Sequence, residues 1–363
     1  MALRPSAVAG LSGLHYVVCM KALVLLENGK LSYGEAQMPA RPKPGWCLVR
    51  VVACGICGSD LHRAFDNGAY HYPLIMGHEF SAVVEEAGAG ADYARGQRVA
   101  VFPLVPCHAC AACQTGRYAQ CSDYDYLGSR RDGAFAEYVY APAENLFEIP
   151  DQVDSLHAAM TEPCAVALHA VRKPTIEGGE TAVVYGAGPI GNMVAQWLRI
   201  RGCRQVMVVD IDRRKLKIAE DIGFPAIDAS EGDPVATVLQ HTHQTGVDVA
   251  VEACGLPLTY RQSVLSVGTS GQVVLLGNIA GELSLAEEEV STALRKELIL
   301  YGTWNSSITP RDRNDWSTVL QYLDQGLEVA PLISHTPPLS EGVEVFGRLH
   351  AGQEHFNKVV FRV

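Results

Sequence analysis

The chain of 363 residues has no surplus of basic charge: 29 Lys and Arg stand against 40 Asp and Glu, for a formal net charge of -11. With no cationic excess to neutralise phosphates, a nucleic-acid partner is not expected, although a small anionic substrate needs only one or two local cations. Long apolar runs are lacking as well. None approaches the ~20 residues of a membrane-spanning helix, so no membrane partner is expected. No internal repeat or low-complexity segment is present. The opening "MALRPSAVAGLSGLHYVVCMKALVLLENGK" has an early Arg and small apolar residues but no sustained apolar core and no clear cleavage site, which argues against a signal peptide. The folded chain is expected to begin at Met20, with Lys21 opening the first strand and residues 1–19 forming an upstream-start artefact or a disordered tail.

Cysteine, in contrast, is plentiful. There are eleven, and four fall within residues 107–121. The odd number, the chain length and this clustering suggest metal binding in a reducing cytoplasm rather than a secreted disulfide scaffold. Apolar residues make up 48% and charged residues 19%, an ordinary globular composition, and the length suggests two domains.

From Lys21 to about Pro150 the text is strand-like: "KALVLL", "CLVRVVA", "SAVVEEAG" and "QRVAVF" are separated by Gly, Pro and Asn. After about residue 165 short apolar strands alternate with helices ("TAVVYGAG", "PIGNMVAQWLRIRG", "QVMVVD", "RRKLKIAEDIG", "VDVAVEACG", "GQVVLLGN"), the pattern of a parallel sheet covered on both faces. The fold class expected is therefore α/β, with a Rossmann doubly wound sheet in the second part. The tail from about 306 holds a helix, Pro-rich text and a last strand, "KVVFRV".

Gly186, Gly188 and Gly191 form G-x-G-x-x-G between a strand and a helix, with Pro189 and Ile190 inside the motif, and Asp210 closes the next strand. The glycines let the backbone approach a pyrophosphate at the positive helix N-terminus, while Asp210 would accept ribose hydroxyls and repel a 2′-phosphate. NAD is favoured. Asp212 adds to the repulsion, while Arg213 and Arg214 keep NADP open.

Cys107, Cys110, Cys113 and Cys121 follow C-x2-C-x2-C-x7-C. Four thiolates on one tight loop can surround one tetrahedral Zn(II) with no open position, which makes the site structural. An iron–sulfur cluster is the competing reading, but nothing else in the chain calls for electron transfer. His108 is then expected to be exposed. Cys54 and Cys57 in "CGICGSDLHRAF" match a redox C-x-x-C, but the thioredoxin-like context is absent. His78 and Glu79 in "MGHEF" and Glu162 in "TEPCAVALHA" complete another set: Cys, His and carboxylate from distant segments are the ligand mix of an open catalytic zinc.

Taken together, "GICGSDLH", "GHEF", the four-cysteine lobe, "GAGPIG" and "TEPCAVALHA" resemble the zinc-dependent medium-chain alcohol and polyol dehydrogenases over essentially Met20 to Val363. The resemblance implies a GroES-like β-barrel catalytic domain over 20–165 carrying the lobe 107–121, a Rossmann NAD-binding domain over 166–305, and a segment 306–363 that completes the catalytic domain, with the active site between domains. It implies two Zn(II) per chain. Cys57 and His78 would be ligands of the catalytic ion, and Glu162 would be a third contact, direct or through water. Glu79 would approach the metal or hold its surroundings, and Asp60 would accept the far N–H of His78. Cys164 rivals Glu162, and Cys54 is expected to be a buried thiol. Ser59 and His62 match the proton relay of the family.

Zinc lowers the pKa of bound water by about 9 units, and a similar drop for an alcohol amounts to ~12 kcal/mol, more than any nearby base supplies. The metal is accordingly expected to be the main catalytic element. "FDNGAYHYPLIMGHEF", "DYDYLGSRRDGAFAEY" and "LRKELILYGTWNSS" look most like the hexitol-phosphate branch. Arg130 and Arg131 are candidate phosphate partners, and Trp304 and Asn305 are further substrate candidates. Unphosphorylated hexitols, a threonine dehydrogenase-like activity and a non-catalytic NAD-binding protein are the alternatives. A homodimer or homotetramer is implied by analogy.

Overall fold

In the structure, a computed structural model, residues 19–39, 41–308 and 314–363 are described. Residues 1–18 of the expected tail lie outside them. Cys19 already opens the first strand, Cys19–Glu27. Two compact units emerge. One comprises the residues up to Glu162 together with Ile333–Val363, and the other comprises Pro163–Leu332.

The first unit is built on antiparallel strands. Its longest, Trp46–Gly55, lies between Glu79–Ala87 and the C-terminal Lys358–Arg362, and also pairs with Tyr138–Pro142. The last strand enters in register with Val360 opposite Gly55 and Phe361 opposite Cys54, so the chain end lies beside the stretch that leads to Cys57. The apolar residues of "KVVFRV" drive this return. Phe361 is fully buried, with its ring perpendicular to Phe135 at 5.4 Å between centroids. Such aromatic pairs add about 0.5–1.5 kcal/mol beyond burial of area. Gly77 must be glycine: its φ is +90°, and a Cβ there would lie 2.6 Å from the Phe135 ring and 2.9 Å from Cys54 Sγ. The tight passage places His78 next to the barrel interior.

The second unit holds a six-stranded parallel sheet in the order Ala226–Asp228, Gln205–Asp210, Thr181–Tyr185, Val247–Glu252, Val267–Leu275, Ile299–Gly302. Numbered along the chain this is 3-2-1-4-5-6, the order of a doubly wound dinucleotide fold, and it reverses beside Thr181–Tyr185. That strand is buried at every residue, as a central parallel strand covered on both faces requires. The segment expected to return to the first unit from 306 clusters with the second as far as Leu332. The cause is local: the buried Asp315 carboxylate, on the helix Asp315–Gln325, binds Arg172 Nη1 at 2.5 Å and His169 Nδ1 at 2.9 Å. No helix among the described residues is long and apolar enough to cross a membrane.

Candidate active site and metal centres

Cys57, His78 and Glu79 each place a ligand atom within 4.8 Å of the others. Cys57 caps the helix Gly58–Phe65. Its backbone N–H donates to Asp60 Oδ2 at 3.0 Å, so the helix start itself fixes the thiol. Asp60 is fully buried, and its Oδ1 lies 3.4 Å from His78 Nδ1 and 3.2 Å from Arg63 Nη1. Burial alone would raise the Asp60 carboxyl, but His78 and Arg63 hold it below the usual carboxylate range. With Nδ1 turned to Asp60, the other ring nitrogen of His78 is left for a metal.

Glu162 is buried and receives the Tyr126 hydroxyl at 3.4 Å. Tyr126 sits edge-on to His78 with 5.7 Å between ring centroids. Burial, with Glu79 as a neighbouring carboxylate and against the pull of His78, pushes the Glu162 carboxyl up to about 7. A divalent metal beside Cys57, His78 and Glu79 would favour the ionised form of this carboxyl. The donor set therefore fits a zinc ion. Cys164 is directed elsewhere: its Sγ is 3.0 Å from Met193 Sδ in the core of the second unit. Cys54 is buried, and burial drives its thiol well above the usual range.

Two residues at this site escaped sequence reasoning. Lys358 is buried, its Nζ forms an ion pair with Glu79 Oε2, and it donates to Ile56 O at 2.9 Å. The available signal was a lysine heading the otherwise apolar "KVVFRV". Arg63 was missed too; it donates from Nη1 to Ser59 Oγ at 2.8 Å.

Ser59 is partly buried at the first turn of the same helix, whereas His62 is exposed, 3.3 Å from Asp66 Oδ2. The two adjacent arginines part company. Arg130 lies over the rings of Tyr70 (4.8 Å) and Tyr124 (4.2 Å), and its Nε is buried without a hydrogen-bond partner. Tyr124 in turn packs edge-on to Tyr126, 6.2 Å between centroids. Arg131 instead pairs through Nε with Asp125 Oδ2 at 3.0 Å and lies over Trp46. Trp304 and Asn305 belong to the second unit. Trp304 is exposed, and Asn305 Oδ1 accepts the Ser306 N–H at 2.7 Å.

The second metal-type cluster is Cys107, Cys110, Cys113 and Cys121. Two sulfur pairs are 4.0 Å (107 to 113) and 3.9 Å (110 to 121) apart. These are too long for disulfides and close to the ~3.8 Å edge of a tetrahedron with Zn–S of about 2.3 Å. A multinuclear cluster would hold the sulfurs farther apart. Backbone N–H groups of Cys113 and Ser122 draw the Cys110 thiol down to about 5, whereas burial and its sulfur neighbours push Cys113 up to about 12. Four thiolates cannot share this space without a cation. His108 stays outside, bonded to Glu144 at 2.8 Å. A Cys110→Ser variant is expected to lose one zinc per chain and to unfold at least about 5 °C lower, corresponding to ~1–2 kcal/mol or more. Calorimetry with metal analysis checks this.

In the second unit Gly186 has φ +110°, and a Cβ on Gly191 would fall 1.7 Å from Gly186 O. A Cβ on Gly188, the N-cap of the helix Pro189–Ile200, would meet nothing within 4 Å. The turn thus closes on two glycines and leaves space above the third, at a helix N-terminus: a fit for a pyrophosphate. Pro189 opens that helix and Ile190 follows. Asp210 is held by three backbone N–H groups, those of Ala187, Ile211 and Asp212, at 2.8–2.9 Å.

Comparison with known proteins matches residues 43–151 to the alcohol dehydrogenase GroES-like domain and residues 189–325 to the zinc-binding dehydrogenase family. Galactitol 1-phosphate 5-dehydrogenase of Escherichia coli (strain K12) is 34% identical over 87% of this chain and 92% of its own. Sorbitol dehydrogenase of Halalkalibacterium halodurans is 32% identical over 92% of this chain and 97% of its own. A solved structure from Sinorhizobium meliloti 1021, assigned to the zinc-binding dehydrogenases and bound to NADP, superposes with a TM-score of 0.88 at 32% identity. The match covers 95% of this chain and 99% of that one.

Proposed function

Because the chain belongs to the family of zinc-binding alcohol dehydrogenases with a GroES-like domain, we propose that it oxidises a secondary hydroxyl of a phosphorylated hexitol, galactitol 1-phosphate in first place, to the ketose (tagatose 6-phosphate) while reducing NAD. The observation that carries this reading is the Cys57–His78–Glu79 cluster with the buried Glu162 beside Tyr126. Zinc at that cluster supplies Lewis acidity, which favours the ionised form of the substrate alcohol. NAD, seated on the Gly186–Gly191 turn, supplies the hydride acceptor.

The residues of the chain do the rest. Asp60 fixes the His78 ring and its tautomer, and Lys358 holds Glu79 in place. Ser59 takes up the substrate proton; Arg63 donates to its oxygen, which leaves the Ser59 hydrogen free to be passed on. His62, exposed on the same helix, would receive that hydrogen by way of the cofactor ribose and releases a proton to water. For the cofactor, NAD is favoured over NADP by the carboxylate of Asp210. Both neighbouring cations are engaged, Arg214 on Asp212 (3.0 and 2.9 Å) and Arg213 on Glu220 (2.9 Å). In Asp210→Gly, kcat/KM with NAD should fall about tenfold, ~1.4 kcal/mol, and approach that with NADP. Initial rates with both dinucleotides check it.

The phosphate partner in this reading is Arg130. Its guanidinium is held between two tyrosine rings with a buried, unspent Nε, and Tyr124 links it to Tyr126 at the metal site. Arg130→Gln should raise KM for galactitol 1-phosphate by about 10–100-fold, the worth of a charge-assisted hydrogen bond, with little change in kcat and none in activity on unphosphorylated hexitols. A second reading, a hexitol without phosphate, is favoured by the likeness to sorbitol dehydrogenase. NADH formation at 340 nm on paired phosphorylated and free polyols decides between them.

A cytoplasmic location is proposed from the four clustered thiols, which need a reducing compartment. A homodimer or homotetramer is proposed as well. Among the described residues the strand Ile299–Gly302 pairs on one side only, and Leu294, Ile299 and Leu300 are exposed; a second copy would cover such a surface.

A further inference from the structure

The first unit contains a second concavity that shares no residue with the Cys57–His78–Glu79 cluster. It encloses about 560 Å³, and Arg41, Lys43, Arg131, Trp46, Met38 and Tyr138 are among its lining residues. Trp46 gathers two of the cations: Lys43 Nζ lies 4.0 Å and the Arg131 guanidinium carbon 4.9 Å from its ring centroid. Both cationic heads are thus positioned before any ligand arrives, which lowers the entropy cost of binding across them.

The local anions offset this wall only in part. Asp125 takes Arg131, and Asp132, which also lines the cavity, spends Oδ1 on the Ile75 N–H at 2.9 Å. Arg41 and Lys43 form no ion pair among the described residues. An overall acidic chain has here placed three cations around one small-molecule-sized space.

We propose that this cavity binds a phosphate monoester of a small organic molecule. The phosphate oxygens bridge Lys43 and Arg131 with Arg41 at the rim, and the organic part lies against Met38 and Tyr138. A flexible acidic segment of a second copy would also meet cations. The volume of about 560 Å³ lies within the ~300–1,000 Å³ range of small-molecule sites, which favours the small ester. The site is independent of the substrate reading above, which uses Arg130.

The test is calorimetric titration of the zinc-loaded full-length protein with phenyl phosphate, in chloride buffer at low ionic strength where surface charges are least screened. One saturable site per chain is expected in the wild type and in Arg130→Gln. In the double variant Arg41→Gln/Lys43→Gln affinity should fall at least tenfold while dehydrogenase turnover is unchanged. Absence of saturable binding, equal affinity in the double variant, or loss of binding in Arg130→Gln would each overturn the proposal. The last would move the anion to the substrate site. A fall in oligomer mass in the double variant without any phenyl phosphate binding would also overturn it and give this face to contacts between copies.

Discussion

Replacing His78 by Ala should cost at least about 10³-fold in kcat/KM and remove one of two zinc ions, because a three-ligand open site does not hold its metal with one ligand gone. Cys57→Ser should do the same. Both variants should still bind the dinucleotide, since the Gly186–Gly191 turn and Asp210 belong to the other unit. Asp60→Ala, which removes the partner of His78 Nδ1, of Arg63 and of the Cys57 N–H but no metal ligand, should lose about 10–100-fold. The controls are as informative as the losses. Cys54 and Cys164 are equally buried, yet their sulfurs face Gly77 and Met193, so Cys54→Ala and Cys164→Ala should cost no more than ~1–2 kcal/mol of stability and keep both metals. Glu162→Ala should lose zinc and activity together. A zinc-free Cys164→Ala enzyme beside a zinc-loaded Glu162→Ala enzyme would hand that corner to the thiol.

The second large effect concerns Lys358. Its ammonium and the Glu79 carboxylate are both buried, and Ile56 O takes a further donation from Nζ. In protein stripped of the catalytic zinc, Lys358→Met leaves Glu79 as an uncompensated buried charge, which should cost about 3–5 kcal/mol. The paired change Glu79→Gln with Lys358→Met should recover most of that stability while catalytic efficiency stays impaired. Chemical denaturation of the four proteins of this cycle, each stripped of the catalytic zinc, measures the coupling. A double variant that loses as much stability as the two single variants together would show that the pair contributes nothing to folding.

These two cases also mark how far the sequence could be read. The structural lobe and the dinucleotide turn were legible because every participating residue lies within one short segment, where spacing alone fixes geometry: four cysteines on one loop, or three glycines around one helix start. Cys57, His78 and Glu79 were legible as types in family-like motifs, but their meeting depends on Gly77, whose positive φ and missing Cβ let the chain pass Phe135. Lys358 was not legible. It reaches Glu79 only because the last strand pairs with Trp46–Gly55, a long-range register that no local pattern encodes. The two arginines of "SRRDG" show the same limit. Identical in chemistry and adjacent in sequence, they are sent by the turn to different tyrosine and tryptophan partners. The helix Asp315–Gln325 was recognised by its pattern, but its attachment to the second unit rests on a buried aspartate shared by Arg172 and His169.

The most direct measurement is zinc content by atomic emission on the purified chain, taken together with NADH formation at 340 nm on galactitol 1-phosphate before and after chelation. The account predicts two zinc ions per chain, turnover that disappears when one is removed, and recovery on adding zinc back. A chain that carries only the lobe zinc and turns over at full rate would contradict it.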